Sequence, residues 1–253
     1  MRTPVIDGQS IEQFIPANLR DMFYRHPMPK YKYAIHNGLD PYGFSTNGLV
    51  LYLPLWALKN NVAFKSVDAY KHTVTVSGAT NLWQPDGRLF AGAEKITCGN
   101  NAALYPAKHV TVITWVYSDD YAAVNYMSIV NGDDDSAPYQ LRCRSTNKDV
   151  QFCINAGHTT SMSVAMVNGT WNHCAGTYDQ TLGSANIKMY LNKAVGTAVN
   201  YTTEITTADT LHIGSRAAGL YWVGIIGEVW IYNRTLSAGE VAHNYNSTIW
   251  RYQ

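Results

Sequence analysis

Charge is close to balanced in this chain, with 19 Lys and Arg against 18 Asp and Glu and a net charge of +1. Such a balance builds no general field to draw in DNA, anionic lipid or acidic polymers, so the expected partners include no nucleic acid and no membrane. Long apolar runs are missing as well. No window approaches the ~18–20 unbroken apolar residues that cross a bilayer. Met1 to Gly8 also lacks the apolar stretch of a secretory leader. For a complete gene product this speaks against signal-peptide export, and the expected location is a virion, made in a host cytoplasm and displayed outside it.

Cysteine is scarce. Cys98, Cys143, Cys153 and Cys174 show no Cys-x-x-Cys spacing, which argues against a zinc site. They read as buried free thiols acting as small hydrophobes. Cys143 and Cys153 lie equally far from Lys148 in what reads as one hairpin, a spacing that would set them face to face. Also missing are the Gly-x-Ser-x-Gly elbow, the His-Glu-x-x-His helix, the phosphate loop, internal repeats and low-complexity linkers. Four Asn-x-Ser/Thr triplets, at Asn168, Asn200, Asn233 and Asn246, matter only in a eukaryotic secretory pathway and read as chance in an Asn- and Thr-rich chain.

Hydrophobic residues make up 46% and charged residues 15%, the balance of an ordinary globule with a full core. The 18 Tyr and 7 Trp suit pleated sheets, on which stiff flat rings pack well. Period-two alternation is clearest in Asn186–Asn192, where Ile187, Met189 and Leu191 alternate with polar residues. The short Gln180–Ala185 link joins it to Trp171–Asp179 as a hairpin. Further strands are expected at Gly48–Leu55, Arg88–Cys98, Val110–Tyr117, Tyr126–Val130, Tyr139–Arg144, Val150–Ile154, Met162–Val167, Leu211–Gly214 and Val223–Tyr232. That makes about twelve to fourteen strands separated by Asn, Gly, Asp and Ser turns, the pattern of an all-β double sheet.

Residues 1–47 differ. Ile11, Phe14, Ile15, Leu19, Met22 and Phe23 recur at helical spacing, Ser10 with Gln13 suits a capping box, and Pro16 favours a helix from there to about Arg25. Pro27 and Pro29 end it. The segment reads either as packed on its own sandwich or as an arm docking on a neighbouring subunit. Near the other end, Ser237 and Glu240 form a second capping box, heading a short helix through about Tyr245.

The stretch Trp171-Asn172-His173-Cys174-Ala175-Gly176-Thr177-Tyr178-Asp179, the Tyr190-Leu191-Asn192 strand end and the close Gly224-Ile225-Ile226-Gly227-Glu228-Val229-Trp230-Ile231-Tyr232-Asn233-Arg234-Thr235-Leu236-Ser237-Ala238-Gly239-Glu240 follow in fixed order. Together they resemble the concanavalin A-like, laminin-G-like domain family over roughly residues 48–253. The resemblance implies an antiparallel two-sheet β-sandwich of jelly-roll type with a short C-terminal helix, after an N-terminal arm of residues 1–47. Gly48–Leu55 resembles the family's first strand and Arg88–Cys98 its Leu-x-Phe-x-Gly-x-x-x-x-Ile strand, while Asp68 and His72 fit a turn seen in many relatives, though its glycines are missing. Hydrolases of this class carry Glu-x-Asp-x-x-Glu on one strand, so that alternate carboxylates flank a sugar bond. No such spacing occurs, and Asp133-Asp134-Asp135, between Gly132 and Pro138, reads as a loop. No catalytic residue is assigned.

Some relatives bind calcium. Here Gly227 stands where the family often has Asp, beside the acidic place kept by Glu228, so the motif does not support calcium. Asp133 and Asp135 suggest an unrelated loop site against the simpler solvated turn, and the expectation is no cofactor and no metal. For sugar, candidate aromatics are Trp83, Tyr139, Tyr221 and Trp222, with burial favoured for Trp222 and a scaffold role for Trp171 and His173. The sequence does not locate a glycan site. The leading expectation is a non-enzymatic virion module (phage capsid decoration, fibre or adhesion), docking on other virion proteins through residues 1–47, forming a homotrimer and holding surface glycan. The alternatives are a microbial carbohydrate-binding module or lectin and, behind it, a glycoside hydrolase.

Overall fold

The computed structural model describes residues 5–6, 9–10, 44–57, 63–78, 82–123, 126–133, 137–155, 158–161, 165–206, 209–216 and 219–253. The expected helix at Pro16–Arg25 lies outside these residues. Strands β1 (Val5–Ile6) and β2 (Gln9–Ser10) pair only with each other. The sandwich is built from β3 (Leu49–Pro54), β4 (Ala63–Lys65), β5 (Thr73–Ser77), β6 (Leu82–Gln84), β7 (Gly87–Ala91) and β8 (Lys95–Gly99). It continues with β9 (His109–Ser118), β10 (Tyr126–Asn131), β11 (Tyr139–Arg144), β12 (Asp149–Ile154), β13 (His158–Ser161) and β14 (Thr170–Asp179). Last come β15 (Ile187–Leu191), β16 (Ala194–Val195), β17 (Leu211–Ile213), β18 (Val223–Tyr232) and helix α1 (Ala238–Thr248). The front sheet runs β13-β12-β11-β10-β17-β8-β5-β4, and the back sheet β16-β15-β14-β9-β18-β7-β6, with β3 also on β18.

Alternation explains the core. In β9 Val110, Val112 and Val116 face inward, and in β15 Ile187, Met189 and Leu191 do so. They meet Leu141, Cys143, Val150, Phe152 and Ile154 of the front sheet in one buried cluster. Gly176 of β14 lies where a Cβ would run into the Phe152 ring, so its missing side chain lets the two sheets close at that point.

A second apolar layer covers the other side of the back sheet. Phe44, Tyr52, Trp115, Trp230, Tyr232, Leu236, Val241 and Tyr252 are buried there together. Helix α1 starts at the Ser237–Glu240 capping box and lies over this layer. Trp115 Nε1 donates to Thr248 Oγ1 at 2.8 Å, and Tyr252 stacks on Trp115 with centroids 4.5 Å apart. Phe44 packs edge-on against both Tyr52 and Trp230. Strand β18 serves both layers because its register slips by one residue between Ile226 and Val229, opposite Trp115. Such a bulge reverses the inward–outward alternation. Ile226, Val229 and Ile231 all face the main core, whereas Trp230 and Tyr232 face the helix. Gly227 and Glu228 occupy the bulge. The Glu228 carboxylate is fully buried, ion-paired with Arg251 and 3.1 Å from the hydroxyls of both Tyr52 and Tyr252. The Arg251 guanidinium lies 4.2 Å from the Trp56 ring centroid.

Three expectations need correction. Arg88–Cys98 is two strands in different sheets: the chain turns at Gly92, at φ 98°, and the Glu94 carboxylate accepts from the backbone N–H of Ala91 and Ala93. In the expected strand Met162–Val167, residues 162–164 lie outside the described residues and Ala165–Val167 join no sheet. Met166 is anchored by its N–H, which donates to the Lys148 carbonyl, and by its side chain in the core, and the Val167 carbonyl accepts from Thr170 Oγ1 at 2.8 Å. Cys143 and Cys153 do not face each other. Cys143 pairs with Val150 and Cys153 with Gln140, so the hairpin centres short of Lys148 and the two thiols lie on opposite faces. All four cysteines are buried. The eighteen strands among the described residues exceed the expected number because β1, β2, β4, β5, β6, β13 and β16 were not expected and Arg88–Cys98 divides into two.

His173 is fully buried between Trp115 and Tyr245, both edge-on to it, and among the described residues neither ring nitrogen has a hydrogen-bond partner. Burial pushes its pKa down from 6.5 to about 3. A folded-state pKa below the unfolded one means that the unfolded chain takes up the extra proton as pH falls. We expect His173 to erode stability below pH 6.5, down to about pH 3, by up to about 1.4 kcal/mol per pH unit. His173→Phe should flatten that part of the pH–stability curve, measured by urea unfolding. Arg251→Ala strands Glu228 without its cation and should cost about 3–5 kcal/mol by the same measurement.

Candidate functional site

The alternation that fills the core leaves a polar set on the outer face of the front sheet. In β12 Val150, Phe152 and Ile154 point inward, so Asp149, Gln151 and Cys153 point out. By the same rule Gln140, Arg142 and Arg144 of β11, His212 of β17 and Thr97 of β8 are outward residues. The ladders align them into rows. Thr75 sits beside Thr97, Thr97 beside His212 and His212 beside Asn131, while Gln140 sits beside Cys153. A second row runs Ser128, Arg142, Gln151.

The centre of the face is sheltered and its margins are open. Ser128 and Asn131 are fully buried, Gln140 and His212 nearly so, while Thr97, Tyr126 and Arg142 are half-buried and Thr75 and Asp133 exposed. The half-buried Arg142 is held in place from three sides. Its guanidinium carbon lies 4.7 Å from the Tyr126 ring centroid, Nε donates to Gln151 Oε1 at 3.2 Å, and Nη1 donates to Gln140 Oε1 at 3.3 Å. Arg144 and Asp149 form a two-pronged pair at 3.0 and 2.9 Å.

At the other end His212 is fixed between Thr97 Oγ1, 3.1 Å from Nδ1, and Asp133 Oδ1, 2.7 Å from Nε2. Asp209 approaches the same turn. Its Oδ2 accepts from the Asp133 backbone N–H at 2.7 Å, and Oδ1 from that of Thr210 at 2.7 Å. Burial alone would raise the Asp133 pKa, but hydrogen bonds from His212, Asp209 and Thr210 outweigh it and hold the carboxyl below its ordinary range. Asp209 moves the other way, raised by burial and by the neighbouring Asp133 against two backbone hydrogen bonds. The face therefore offers a fixed guanidinium against an aromatic ring at one end and a hydroxyl, an imidazole and a carboxylate at the other. That set suits a polyhydroxylated ligand.

The aromatic residues picked from sequence fare unevenly. Tyr139 and Trp222 are in the core between the sheets, and the Tyr139 hydroxyl donates to the Leu104 carbonyl at 2.7 Å, so neither is a sugar platform. For Trp222 this is the burial expected from sequence, and for Tyr139 the inward side of its strand decides it. Trp83 is half-buried with Nε1 donating to the Trp56 carbonyl at 2.5 Å. Tyr221 is half-buried in the loop whose Leu220 carbonyl accepts from Ser128 N–H at 2.8 Å, beside the polar rows. Trp171 packs on Tyr117 and Tyr252, which with buried His173 fits the scaffold role. Asp135 lies outside the described residues, and Asp133 is exposed with Oδ1 hydrogen-bonded to His212. Among the described residues no group of three His, Cys, Asp or Glu side chains could hold a metal ion.

Sequence reasoning missed Tyr126, Arg142, Gln140, Gln151 and His212. For Gln140, Arg142 and Gln151 the signal was present in the polar half of the alternation in Tyr139–Arg144 and Asp149–Ile154, and for His212 in its place between Leu211 and Ile213, but which strands stand side by side was not.

Two antiparallel sheets packed face to face, closed by a short C-terminal helix, define a jelly-roll β-sandwich. Residues 90–242 match the sequence pattern of the Concanavalin A-like lectin/glucanases superfamily, and the chain belongs to that family. No curated protein matches the chain. Among solved structures it is similar to the sialidase of Trypanosoma rangeli, with a TM-score of 0.60 and 17% identity over 80% of this chain and 33% of that one. It is also similar to the binding domain of botulinum neurotoxin serotype D, with a TM-score of 0.58 and 18% identity over 81% of this chain and 52% of the other. A third is a botulinum neurotoxin type C structure, with a TM-score of 0.58 and 14% identity over 80% and 51%; cell entry of that toxin depends on interaction with two ganglioside molecules. The chain thus spans about a third of the sialidase and about half of the toxin chains. At these identities the likeness is one of fold. No helix among the described residues is long and apolar enough to cross a membrane.

Proposed function

We propose that this chain is a non-hydrolytic glycan-binding module whose ligand lies on the outer face of the front sheet. The observation that carries the reading is the aligned polar rows with Arg142 held over Tyr126. A fixed guanidinium beside a ring gives a sugar both directional hydrogen bonds and an apolar face. The ganglioside-dependent toxin and a sialidase seen in complex with sialic acid make glycans the class to test first. Support for binding without hydrolysis comes from the sequence, which lacks the Glu-x-Asp-x-x-Glu spacing that places two carboxylates about a sugar bond. The test is a glycan array followed by calorimetry on the best ligand. Arg142→Ala should weaken binding at least about tenfold, the scale of a lost charged hydrogen bond, and the bound glycan should be recovered uncleaved. Equal binding by the variant, or cleavage, would refute the reading.

The setting that we propose is the surface of a virus particle, with the part of residues 1–47 that precedes Phe44, itself buried on the sandwich, docking on other virion proteins. Its support is the helical spacing of Ile11, Phe14, Ile15, Leu19, Met22 and Phe23, an apolar stripe suited to a partner groove. Mass spectrometry of purified particles should find the protein, and light scattering should give a trimer. Particles that lack it would remove this setting and leave the glycan reading intact.

A further inference from the structure

The loop between β4 and β5 holds a half-exposed tyrosine on a buried polar frame, and the front-sheet rows make no use of it. The Tyr70 ring is 49% exposed and lies parallel to the His72 ring, at an interplanar angle of 5° with centroids 5.6 Å apart. His72 is itself fixed. Its Nε2 is 2.8 Å from the Val50 carbonyl, and its N–H donates to Ser66 Oγ at 2.8 Å. Asp68 holds the same loop from below, accepting from the N–H of Tyr52 and of Tyr70, each at 2.9 Å. Asp68, His72 and Ser66 are buried, so three polar groups are withdrawn from water to present one ring to it. Lys71 follows at φ 53°, a left-handed conformation costly for a side chain other than glycine. Its Nζ donates to the Val67 carbonyl at 3.0 Å, and exposed Lys65 lies at the base of the hairpin, bonded to Thr73.

We propose that Tyr70 is a second, separate binding platform, taking the face of a pyranose ring that carries a carboxylate. A rigid ring with one face backed by His72 leaves the other for the C–H face of a sugar, and Lys65 and Lys71 supply cations within reach of an acidic substituent. This platform does not depend on the front-sheet site.

Calorimetry on the full chain tests it with hexagalacturonate and 3′-sialyllactose as carboxylated probes and maltohexaose as the neutral control. One or both acidic probes should bind and maltohexaose should not, which also tells a uronic from a sialic acid ligand. Tyr70→Ala should weaken that binding at least about tenfold and Tyr70→Trp keep it within about threefold, since a ring face is what the ligand needs. Lys71→Gln should weaken it and reduce its salt dependence. Arg142→Ala should leave it unchanged. Unaltered binding by Tyr70→Ala at an unchanged melting temperature, loss in Arg142→Ala instead, or no binding of either acidic probe would overturn the proposal.

Discussion

The slip of one residue in β18 is the constraint on which the architecture turns. Before the bulge at Gly227 and Glu228 its even-numbered Ile226 faces the main core; after it the odd-numbered Val229 and Ile231 do. The same strand pairs with β9 along one edge and with β7 and then β3 along the other, so a change in its register would displace every neighbour. The bulge also places a carboxylate in a dry layer. Glu228 is tolerable there because Arg251 and two tyrosine hydroxyls surround it. The C-terminal residues are thus part of the fold's centre, and they hold α1 over the back sheet.

That arrangement divides labour between the sheets. The back sheet is buried on both faces, by the main core on one side and by helix, tail and Phe44 on the other. Only the front sheet keeps a polar face, where strand alternation leaves Thr, Asn, Gln, Arg and His side chains in register. Polar groups that are sheltered yet mutually hydrogen-bonded stay in fixed positions, as Arg142 does between Gln140, Gln151 and Tyr126. A rigid back and a fixed polar front suit a protein that presents groups to a ligand without moving them.

Sequence reading went furthest where the signal is local. Strands Tyr139–Arg144 and Val223–Tyr232 fall where the alternation puts them, and the helix begins at the Ser237–Glu240 box, because period and capping are properties of neighbouring residues. It failed where a choice of partner was needed. Arg88–Cys98 looked like one strand because it resembles a single strand motif of the family that runs across Gly92, yet the two halves belong to different sheets. Cys143 and Cys153 looked like a facing pair because hairpin symmetry was centred on Lys148, and a shifted centre moved them to opposite faces.

By itself the sequence determined the class of fold, the position of the long strands and the closing helix, since each follows from the order of apolar and polar residues along a short stretch. It also supplied the family pattern. Only the tertiary structure decided which polar residues share a face, that Tyr139 is core rather than surface, and that His212 meets Asp133 across 79 positions of chain. The physical reason is the same for all three: a strand's periodicity says that alternate residues diverge, but only pairing with another strand says which side is water and what lies beside it.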